Sequence, residues 1–477
     1  MKTVSKISAK KSWAKALAIP AAEFPLTQLS VKTGKIPDGL RGTLYRNGPA
    51  RLERGGMNVG HWFDGDGAIL GVHFTDAGAT AVYRYVQTAG YQAEEKADKF
   101  LYSNYGMTAP GPILLRWTKS VKNAANTSVL ALPDRLLALW EGGPPHSLDL
   151  QTLETIGIDK LGNLEGEFNY SAHCKRDPIS GNIYNFGVIP GATTKLNVYK
   201  SDYTGKIIQK TTVPLDGIAL LHDFVLAGKY LIFFVPPVRL NLIPVLTGIG
   251  SYGDSFEWKP ELGTQILVFD SENLSLVSRG ETDPWFQWHF ANAFVKEDGE
   301  VAVDLVRYAD FKSNQRLKEV ATGETRTNAE GILSRVHLNP QSAKVTEIEE
   351  LLDKSCEFPI VPADKIGQAS RYIYVAMNRP DADSVAELYG AIARLDTQTR
   401  NLTIADAGEN RYPAEPIYVP DISSEKGWIL TVVYDGNSDK SEVWIFECDA
   451  LSHPPICTLE LPGVIPLGFH GTWKNAV

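Results

Sequence analysis

The chain has 477 residues, of which 43% are hydrophobic and 22% charged, and its formal net charge is −9 at neutral pH. This composition describes a folded, core-forming protein and excludes a disordered or fibrous chain. The acidic balance argues against a nucleic-acid partner, because nucleic-acid binding needs a basic face.

The N-terminal segment 1–22 is basic, since five lysines precede the first acidic residue, Glu23. Its apolar run is too short for a secretory signal peptide. Two interpretations stay open: a solvated tail, or a weakly amphipathic segment that touches an anionic membrane surface. The chain has four cysteines and no C-x-x-C pair, which favours a reducing cytoplasm. We therefore expect a cytoplasmic protein that associates peripherally with membranes.

Seven β-hairpins are predicted in chain order at near-constant spacing. Each has a polar turn that begins with Asp or Asn between two short strands, and the turns begin at Asp76, Asp149, Asp202, Asp270, Asn339, Asp396 and Asp449. Repeated hairpins without long helical periodicity are typical of a β-propeller. We predict an all-β fold, with residues 1–477 forming one seven-bladed β-propeller. Insertions near 87–125 and 236–262 are expected to form a loop and helix cap over one face.

Residues 230–250 form the most apolar stretch, "YLIFFVPPVRLNLIPVLTGIG". Three prolines argue against a membrane-spanning helix. We predict a strand that ends near Val235, followed by an apolar loop at 236–250. Such a loop is either buried or in contact with an apolar partner, and a membrane surface is the partner we expect.

A second hairpin precedes several of these seven, and its first strand begins in a similar way each time. The residues at this position are His173, His222 and His289, then Glu357 and Glu415, with Thr127 in the second repeat and His470 near the end of the chain. Innermost propeller strands surround one axis, so equivalent positions converge. Four converging imidazoles favour a transition-metal site, and Fe, Zn, Cu and Ni all accept neutral imidazole. Glu357, Glu415 and Glu141 suit the hydrogen-bonding partners that orient such ligands.

Four longer motifs carry a family resemblance: "RGTLYRNGPA" (41–50), "FDGDGAI" (63–69), "LLALWEGGPPHSL" (136–148) and "LGFHGTW" (467–473). With them the chain resembles the carotenoid cleavage oxygenases, of the cyanobacterial kind that is similar to apocarotenoid oxygenases. The resemblance implies a seven-bladed propeller with Fe²⁺ on its axis, held by His173, His222, His289 and His470. It also implies that Glu141, Glu357 and Glu415 orient the last three histidines, and that Thr127 lies over one open iron position.

The resemblance further implies a dioxygenase that takes O₂ and a carotenoid or apocarotenoid. We expect an aromatic tunnel beside the iron, lined by Trp62, Phe63, Trp140, Trp288, Phe290 and Phe469. Cleavage at the 9,10 and 9′,10′ bonds is the expectation, and 15,15′ cleavage of an apocarotenoid to retinal is an alternative. Stilbene cleavage and a non-catalytic carotenoid-binding propeller also stay open. The sequence gives no oligomeric state.

Overall fold

The protein is described by a computed structural model that covers residues 11–116, 119–162, 164, 168–422, 424 and 426–476. Strands dominate it, so the all-β prediction is confirmed. The elements of the first third of the chain are the 3₁₀ turn Ser12–Ala14, α1 (Lys15–Ala18), β1 (Phe24–Gln28), β2 (Ser30–Gly34), β3 (Gly42–Arg51), β4 (Glu53–Arg54), β5 (Met57–Asn58), the 3₁₀ turn Trp62–Asp64, β6 (Asp66–Thr75), β7 (Gly78–Tyr85), α2 (Ala89–Ala97), α3 (Ile113–Arg116), β8 (Ser128–Ala131), β9 (Leu136–Leu139), β10 (His146–Leu148) and β11 (Thr155–Ile158).

The middle third continues this succession of short strands. Its elements are β12 (Lys175–Arg176), β13 (Ile183–Ile189), β14 (Thr194–Ser201), β15 (Ile207–Leu215), β16 (Val225–Ala227), β17 (Tyr230–Val235), β18 (Val238–Leu240), α4 (Leu242–Leu246), the 3₁₀ turn Gly253–Ser255, β19 (Phe256–Trp258), the 3₁₀ turn Pro260–Leu262, β20 (Thr264–Asp270), β21 (Leu276–Thr282), β22 (Phe290–Val295), β23 (Val301–Arg307) and α5 (Lys312–Val320).

The last third contains the longest strand. Its elements are β24 (Ile332–Asn339), β25 (Lys344–Ile360), the 3₁₀ turn Ala363–Lys365, β26 (Tyr372–Met377), β27 (Ala391–Asp396), β28 (Leu402–Asp406), β29 (Arg411–Pro413), β30 (Ile417–Pro420), β31 (Gly427–Asp435), β32 (Lys440–Glu447), the 3₁₀ turn Cys448–Ala450, β33 (Cys457–Glu460) and β34 (Gly471–Asn475).

All seven predicted hairpins are present as antiparallel pairs: β6–β7, β10–β11, β14–β15, β20–β21, β24–β25, β27–β28 and β32–β33. The turn residues explain why they form. The Asp149 carboxylate accepts the backbone N–H groups of Gln151 and Thr152 at 2.9 and 2.7 Å, and Asp270 binds its own turn in the same way. Such local bonds replace the missing strand-to-strand bonds of a turn.

The hairpins assemble into larger antiparallel sheets. Their strand orders are β1-β7-β6-β3-β34, β11-β10-β9-β8, β12-β13-β14-β15, β16-β17-β20-β21, β22-β23-β24-β25-β26-β27-β28 and β2-β33-β32-β31-β29, with β30 also paired to β31. The long strand β25 belongs to two units, because residues 344–355 pair with β24 and residues 356–360 with β26. Six large sheets therefore occur where seven separate blades were predicted. The C-terminal strand β34 pairs with β3 near the N-terminus.

The N-terminal segment differs from the expected tail over Lys11–Ala18. Trp13 is fully buried, and the Lys11 ammonium lies 2.8 Å from the Glu387 carboxylate. Lys15 donates to the backbone carbonyl of Gly436 at 3.2 Å. Lys11 and Lys15 therefore bind protein groups while both stay partly exposed, and a membrane contact of this segment stays a prediction. Lys2, Lys6 and Lys10 lie outside the described residues.

The apolar stretch after residue 230 divides into a buried and an exposed half. β17 ends at Val235 as predicted, and Val235 and Val238 are fully buried. The short helix α4 is exposed, with Ile243 72% and Leu246 65% accessible. Within the described part of the chain, no helix is long and apolar enough to cross a membrane.

Candidate metal centre

Residues at the ends of inner edge strands form the centre. His289 and His470 directly precede β22 and β34, and His173 and His222 come two and three residues before β12 and β16. Each of these four strands is an edge strand of its sheet. Because edge strands of different sheets approach each other there, residues far apart in the chain meet. The histidines that occupy the repeated sequence position thus lie in a single cluster.

The four histidine side chains are buried, and each offers a ligand nitrogen within 4.8 Å of all the others. The Nε2 atoms of His173 and His222 are 3.0 Å apart, and those of His222 and His289 are 3.2 Å apart. Nitrogen atoms at these separations can surround one ion. The structure therefore brings together the four histidines that the sequence predicted as ligands.

A carboxylate faces the other ring nitrogen of three of these histidines. Glu357 Oε2 lies 2.5 Å from His289 Nδ1, and Glu415 Oε1 lies 2.8 Å from His470 Nδ1. Glu141 contacts His222 Nδ1. A carboxylate at Nδ1 fixes the proton there and leaves Nε2 free as an acceptor for a metal. The structure thus pairs the three predicted glutamates with the three predicted histidines.

Burial and these carboxylates set the protonation of the ligands. Burial lowers the pKa of His173 well below its usual range, and burial also lowers the pKa of His470 although Glu415 opposes the shift. Burial alone would lower the pKa of His289, but the adjacent Glu357 outweighs it and raises that pKa. Neutral imidazole is the form that binds metal.

The donor set fits a transition-metal ion. Four imidazole nitrogens are the ligands that Fe, Zn, Cu and Ni accept, whereas Ca²⁺ and Mg²⁺ prefer oxygen. The carboxylates that hold Nδ1 add negative charge close to the centre without occupying the ligand positions. The residues present therefore suit a divalent transition metal, and they do not by themselves distinguish iron from the others.

The residues that contact the glutamates and hold them in place were not predicted from the sequence. The Tyr308 hydroxyl donates to Glu357 Oε1 at 3.0 Å, and the buried Arg46 guanidinium lies 3.7 Å from Glu415 Oε2. Arg46 also donates to the Glu415 backbone carbonyl at 2.9 Å. Arg46 belongs to the "RGTLYRNGPA" motif, and this motif could have indicated it as a residue of the site. Tyr308 lies outside the four motifs that carry the resemblance, so the sequence did not indicate it.

A cavity of about 420 Å³ adjoins the cluster and is lined mainly by aromatic and aliphatic side chains. We call it the apolar cavity. Five of the six predicted aromatic residues line it: Trp62, Phe63, Trp140, Trp288 and Phe469. The prediction for Phe290 is wrong, because its side chain faces a second cavity that also borders the histidines. Alternation along one strand would place Trp288 and Phe290 on the same face, but β22 begins only at Phe290, so Trp288 lies outside the strand and the alternation does not extend to it.

Both predicted insertions contribute to the apolar cavity, through Tyr105 and Val121 from 87–125 and Tyr252 and Phe256 from 236–262. A third contribution was not predicted. Helix α5 supplies Arg316, Leu317 and Val320, which line the same cavity. Its polar, short sequence gave no sign that it covers an active site.

Thr127 also lines the apolar cavity. Its backbone carbonyl accepts the N–H of His470 at 3.3 Å, so the residue is held beside a histidine of the cluster. The Thr127 hydroxyl donates to Asn126 Oδ1 at 3.2 Å. Thr127 therefore lies beside the cluster, and its expected place over an open metal position stays a prediction.

Comparisons with known proteins agree with this arrangement. Residues 18–475 match the family described as retinal pigment epithelial membrane protein. The apocarotenoid-15,15′-oxygenase of Synechocystis sp. (strain ATCC 27184 / PCC 6803 / Kazusa) is 33% identical over 465 residues, which cover 93% of this chain and 92% of that protein. The carotenoid 9,10(9′,10′)-cleavage dioxygenase 1 of Pisum sativum is 28% identical, covering 94% and 86%. The cobalt-substituted Synechocystis apocarotenoid oxygenase has a similar structure, with a TM-score of 0.87, 30% identity and 98% coverage of both chains.

Proposed function

This chain belongs to the family of the retinal pigment epithelial membrane protein and the carotenoid cleavage oxygenases, and on that basis we propose that it is an O₂-dependent dioxygenase that splits a conjugated double bond of an apocarotenoid. The observation that carries the proposal is the cluster of four buried histidines at the end of an aromatic cavity. A polyene needs a dry, apolar channel, and the cluster offers a metal site at its side.

We propose Fe²⁺ as the metal, with His173, His222, His289 and His470 as its ligands. When bound, iron supplies a site at which O₂ is activated. Glu357 and Glu415 hold the Nδ1 protons of His289 and His470, and Glu141 contacts His222 Nδ1, so that neutral Nε2 atoms are left for the ion. Thr127 narrows the space beside His470 and limits the directions from which small molecules approach.

The position of the cut is proposed as 15,15′, which would give retinal from an apocarotenoid. The relative that is 33% identical is named an apocarotenoid-15,15′-oxygenase. This changes the expectation from sequence, which favoured the 9,10 and 9′,10′ bonds. That cut is the second candidate, because the pea relative at 28% identity is named for it.

We also keep the seven-bladed propeller as a proposal for the architecture. Each of the seven hairpins belongs to an antiparallel unit of at least four strands, if β25 is counted once with β24 and once with β26. The pairing of β34 with β3 would join the last unit to the first.

The exposed residues of α4 are proposed to touch a membrane surface. Leu242, Ile243, Leu246 and Ile249 are between 42% and 75% accessible, and Arg116 of α3 donates to the Gly248 carbonyl at 2.5 Å. Tyr252, which follows α4 in the chain, lines the apolar cavity. A membrane-dissolved polyene could thus pass from lipid to cavity over a short distance.

Product analysis tests the proposed cut. The iron-loaded protein is incubated in air with an apocarotenal, with β-carotene and with a hydroxylated stilbene, and the products are identified by mass spectrometry. Retinal from the apocarotenal alone is the expected result. Ionone-type ends from β-carotene would support the 9,10 candidate, and phenolic aldehydes from the stilbene would refute the carotenoid assignment.

A further inference from the structure

A second cavity also borders the histidine cluster, through His173, His289 and His470. It has a volume of about 740 Å³ and is lined by charged side chains that include Lys175, Arg176, Asp223 and Lys474. We call it the polar cavity. Lys175 is paired with Asp223 at 2.8 Å, whereas the Arg176 guanidinium donates to the carbonyl of Ala131. Burial and the nearby Arg176 lower the pKa of Lys474. The polar cavity therefore has cationic side chains although the whole chain is acidic.

Three residues line both cavities: His289, His470 and Phe358. Two of them belong to the histidine cluster. Phe358 is thus the one shared residue that is not a candidate ligand. Its ring lies against both histidines, stacked on His289 at 5.4 Å between centroids with an interplanar angle of 25°, and edge-on to His470 at 5.4 Å and 65°.

The backbone of Phe358 is strained. Its φ is +52°, in the left-handed region that aromatic residues rarely adopt. The next residue is Pro359, which itself disfavours helical conformations at the position before it. Phe358 and Pro359 face one residue of β26, because Glu357 pairs with Ala376 and Ile360 with Tyr374. This is a β-bulge in which glycine would normally take the left-handed position.

The bulge links the strained residue to ligand orientation. The Phe358 N–H donates to Glu357 Oε2 at 2.6 Å, and the same oxygen lies 2.5 Å from His289 Nδ1. The backbone of Phe358 thus fixes the carboxylate, and its ring packs on the imidazole that this carboxylate orients. Strain of about 1–3 kcal/mol at one residue persists only where the surroundings demand it.

We propose that Phe358 is a positioning residue that closes the wall between the two cavities, holding His289 in place and keeping water and small anions of the polar cavity away from the metal and the polyene. This inference rests on the proposed metal centre. Glycine would suit the backbone of this bulge better than phenylalanine does. Glycine has no ring, however, and could not separate the two cavities.

Azide binding to the cobalt-loaded protein tests the proposal, because azide is a small anion and cobalt absorbance reports a new ligand. In Phe358→Ala and Phe358→Gly we expect azide to bind about tenfold faster or more, and in Phe358→Leu at nearly the wild-type rate. Phe358→Gly should also melt at a higher temperature than Phe358→Ala, since it relieves the left-handed strain. Phe294→Ala is the matched control and should leave the rate of azide binding unchanged, because it removes a ring that lines neither cavity.

A substitution that removes a positive charge from the polar cavity tests whether azide reaches the metal through that cavity. Lys474→Gln should slow azide binding several-fold in the Phe358→Ala background and leave it unchanged in the wild-type background, because only the open wall connects the polar cavity to the metal. Equal effects in both backgrounds, or no acceleration in Phe358→Ala and Phe358→Gly, would overturn the proposal. If the wild-type protein takes up no cobalt, the metal centre itself is refuted and the inference with it. If azide behaves as expected but no carotenoid is cleaved, only the proposed activity fails.

Discussion

At the scale of single residues, the centre depends on the contacts between three of its histidines and three glutamates. The four histidines could be predicted because each occupies the same place in a repeated hairpin. Two of their carboxylate partners were found in the same way, since Glu357 and Glu415 replace histidine at that place, whereas Glu141 was indicated by its motif. Phe358 could not be found, because neither its positive φ nor its contact with two imidazoles follows from a local pattern.

Removal of one ligand should abolish metal binding without unfolding the protein. In His222→Ala the cluster loses a nitrogen that lies 3.0 and 3.2 Å from two others, so iron should fall to near zero per chain and activity should disappear. Metal analysis and circular dichroism measure the two effects. The exposed His453 serves as the control, since His453→Ala should retain full iron. Normal iron and turnover in His222→Ala would refute the ligand assignment.

Loss of an orienting carboxylate should weaken the site without eliminating it. Glu357→Gln keeps one acceptor oxygen for His289 but loses the charge, so we expect metal affinity to fall about 10–100-fold. Competition with a chelator measures the affinity. Glu347→Gln, on the exposed face of β25, is the control. Unchanged metal affinity together with a lost limb of the pH–rate profile would instead make Glu357 an acid or base.

The buried Asp64 should make stability depend on pH. Burial raises its pKa to about 7, although the N–H groups of Gly106 and His61 oppose this shift. Since the folded pKa lies above the unfolded one, the folded state binds the proton more tightly, and this stabilisation declines as pH rises from about 4 to about 7. The free energy of unfolding of Asp64→Asn should therefore improve relative to wild type over this range. A difference that does not vary with pH would contradict the assignment.

At the scale of elements, the hairpins were predictable and the cap was only partly so. Five of the seven turns are stabilised by the side chain of their first residue, which is a local cause that the sequence reveals, and these residues are Asp149, Asp202, Asp270, Asn339 and Asp396. The cap helices depend on contacts with the rest of the fold. Helix α5 is polar in sequence, yet it lines the apolar cavity through Leu317 and Val320. Trp13, near the N-terminus, is buried by residues that are distant in the sequence, and the sequence around it does not indicate this burial.

Helix α4 provides a prediction at this scale. Ile243 and Leu246 are exposed, so Ile243→Glu with Leu246→Glu should leave the melting temperature and iron content unchanged. Binding to anionic liposomes should weaken, because each inserted aliphatic side chain contributes roughly 1.5–3 kcal/mol. Cleavage of membrane-dissolved carotenoid should slow, and cleavage of detergent-dissolved carotenoid should change less.

Two equally exposed isoleucines elsewhere supply the control for α4. Ile156 and Ile179 are 68% and 82% accessible and lie far from the cap in sequence. Their double replacement by glutamate should not alter liposome binding. If both double variants weaken it equally, or if the α4 variant unfolds, α4 is not the membrane contact.

At the scale of the whole molecule, the repeated hairpin organises the chemistry. Inner edge strands from separate sheets end at the cluster, and the segments between hairpins supply the cavity above it. The sequence predicted the repeat and hence the convergence. It could not predict the joining of two units through β25, because a continuous strand and two consecutive strands have the same alternating pattern.

The histidine cluster is proposed to hold an iron that consumes O₂ to cleave the polyene. Simultaneous measurement of O₂ uptake and apocarotenal loss tests it most directly, with iron-loaded and metal-free protein compared. We predict that one O₂ disappears for each molecule of apocarotenal that the iron-loaded protein cleaves, and that the metal-free protein binds the polyene but consumes neither. An apocarotenal that binds to the iron-loaded protein and is recovered intact, without O₂ uptake, would contradict the claim and identify the protein as a carrier.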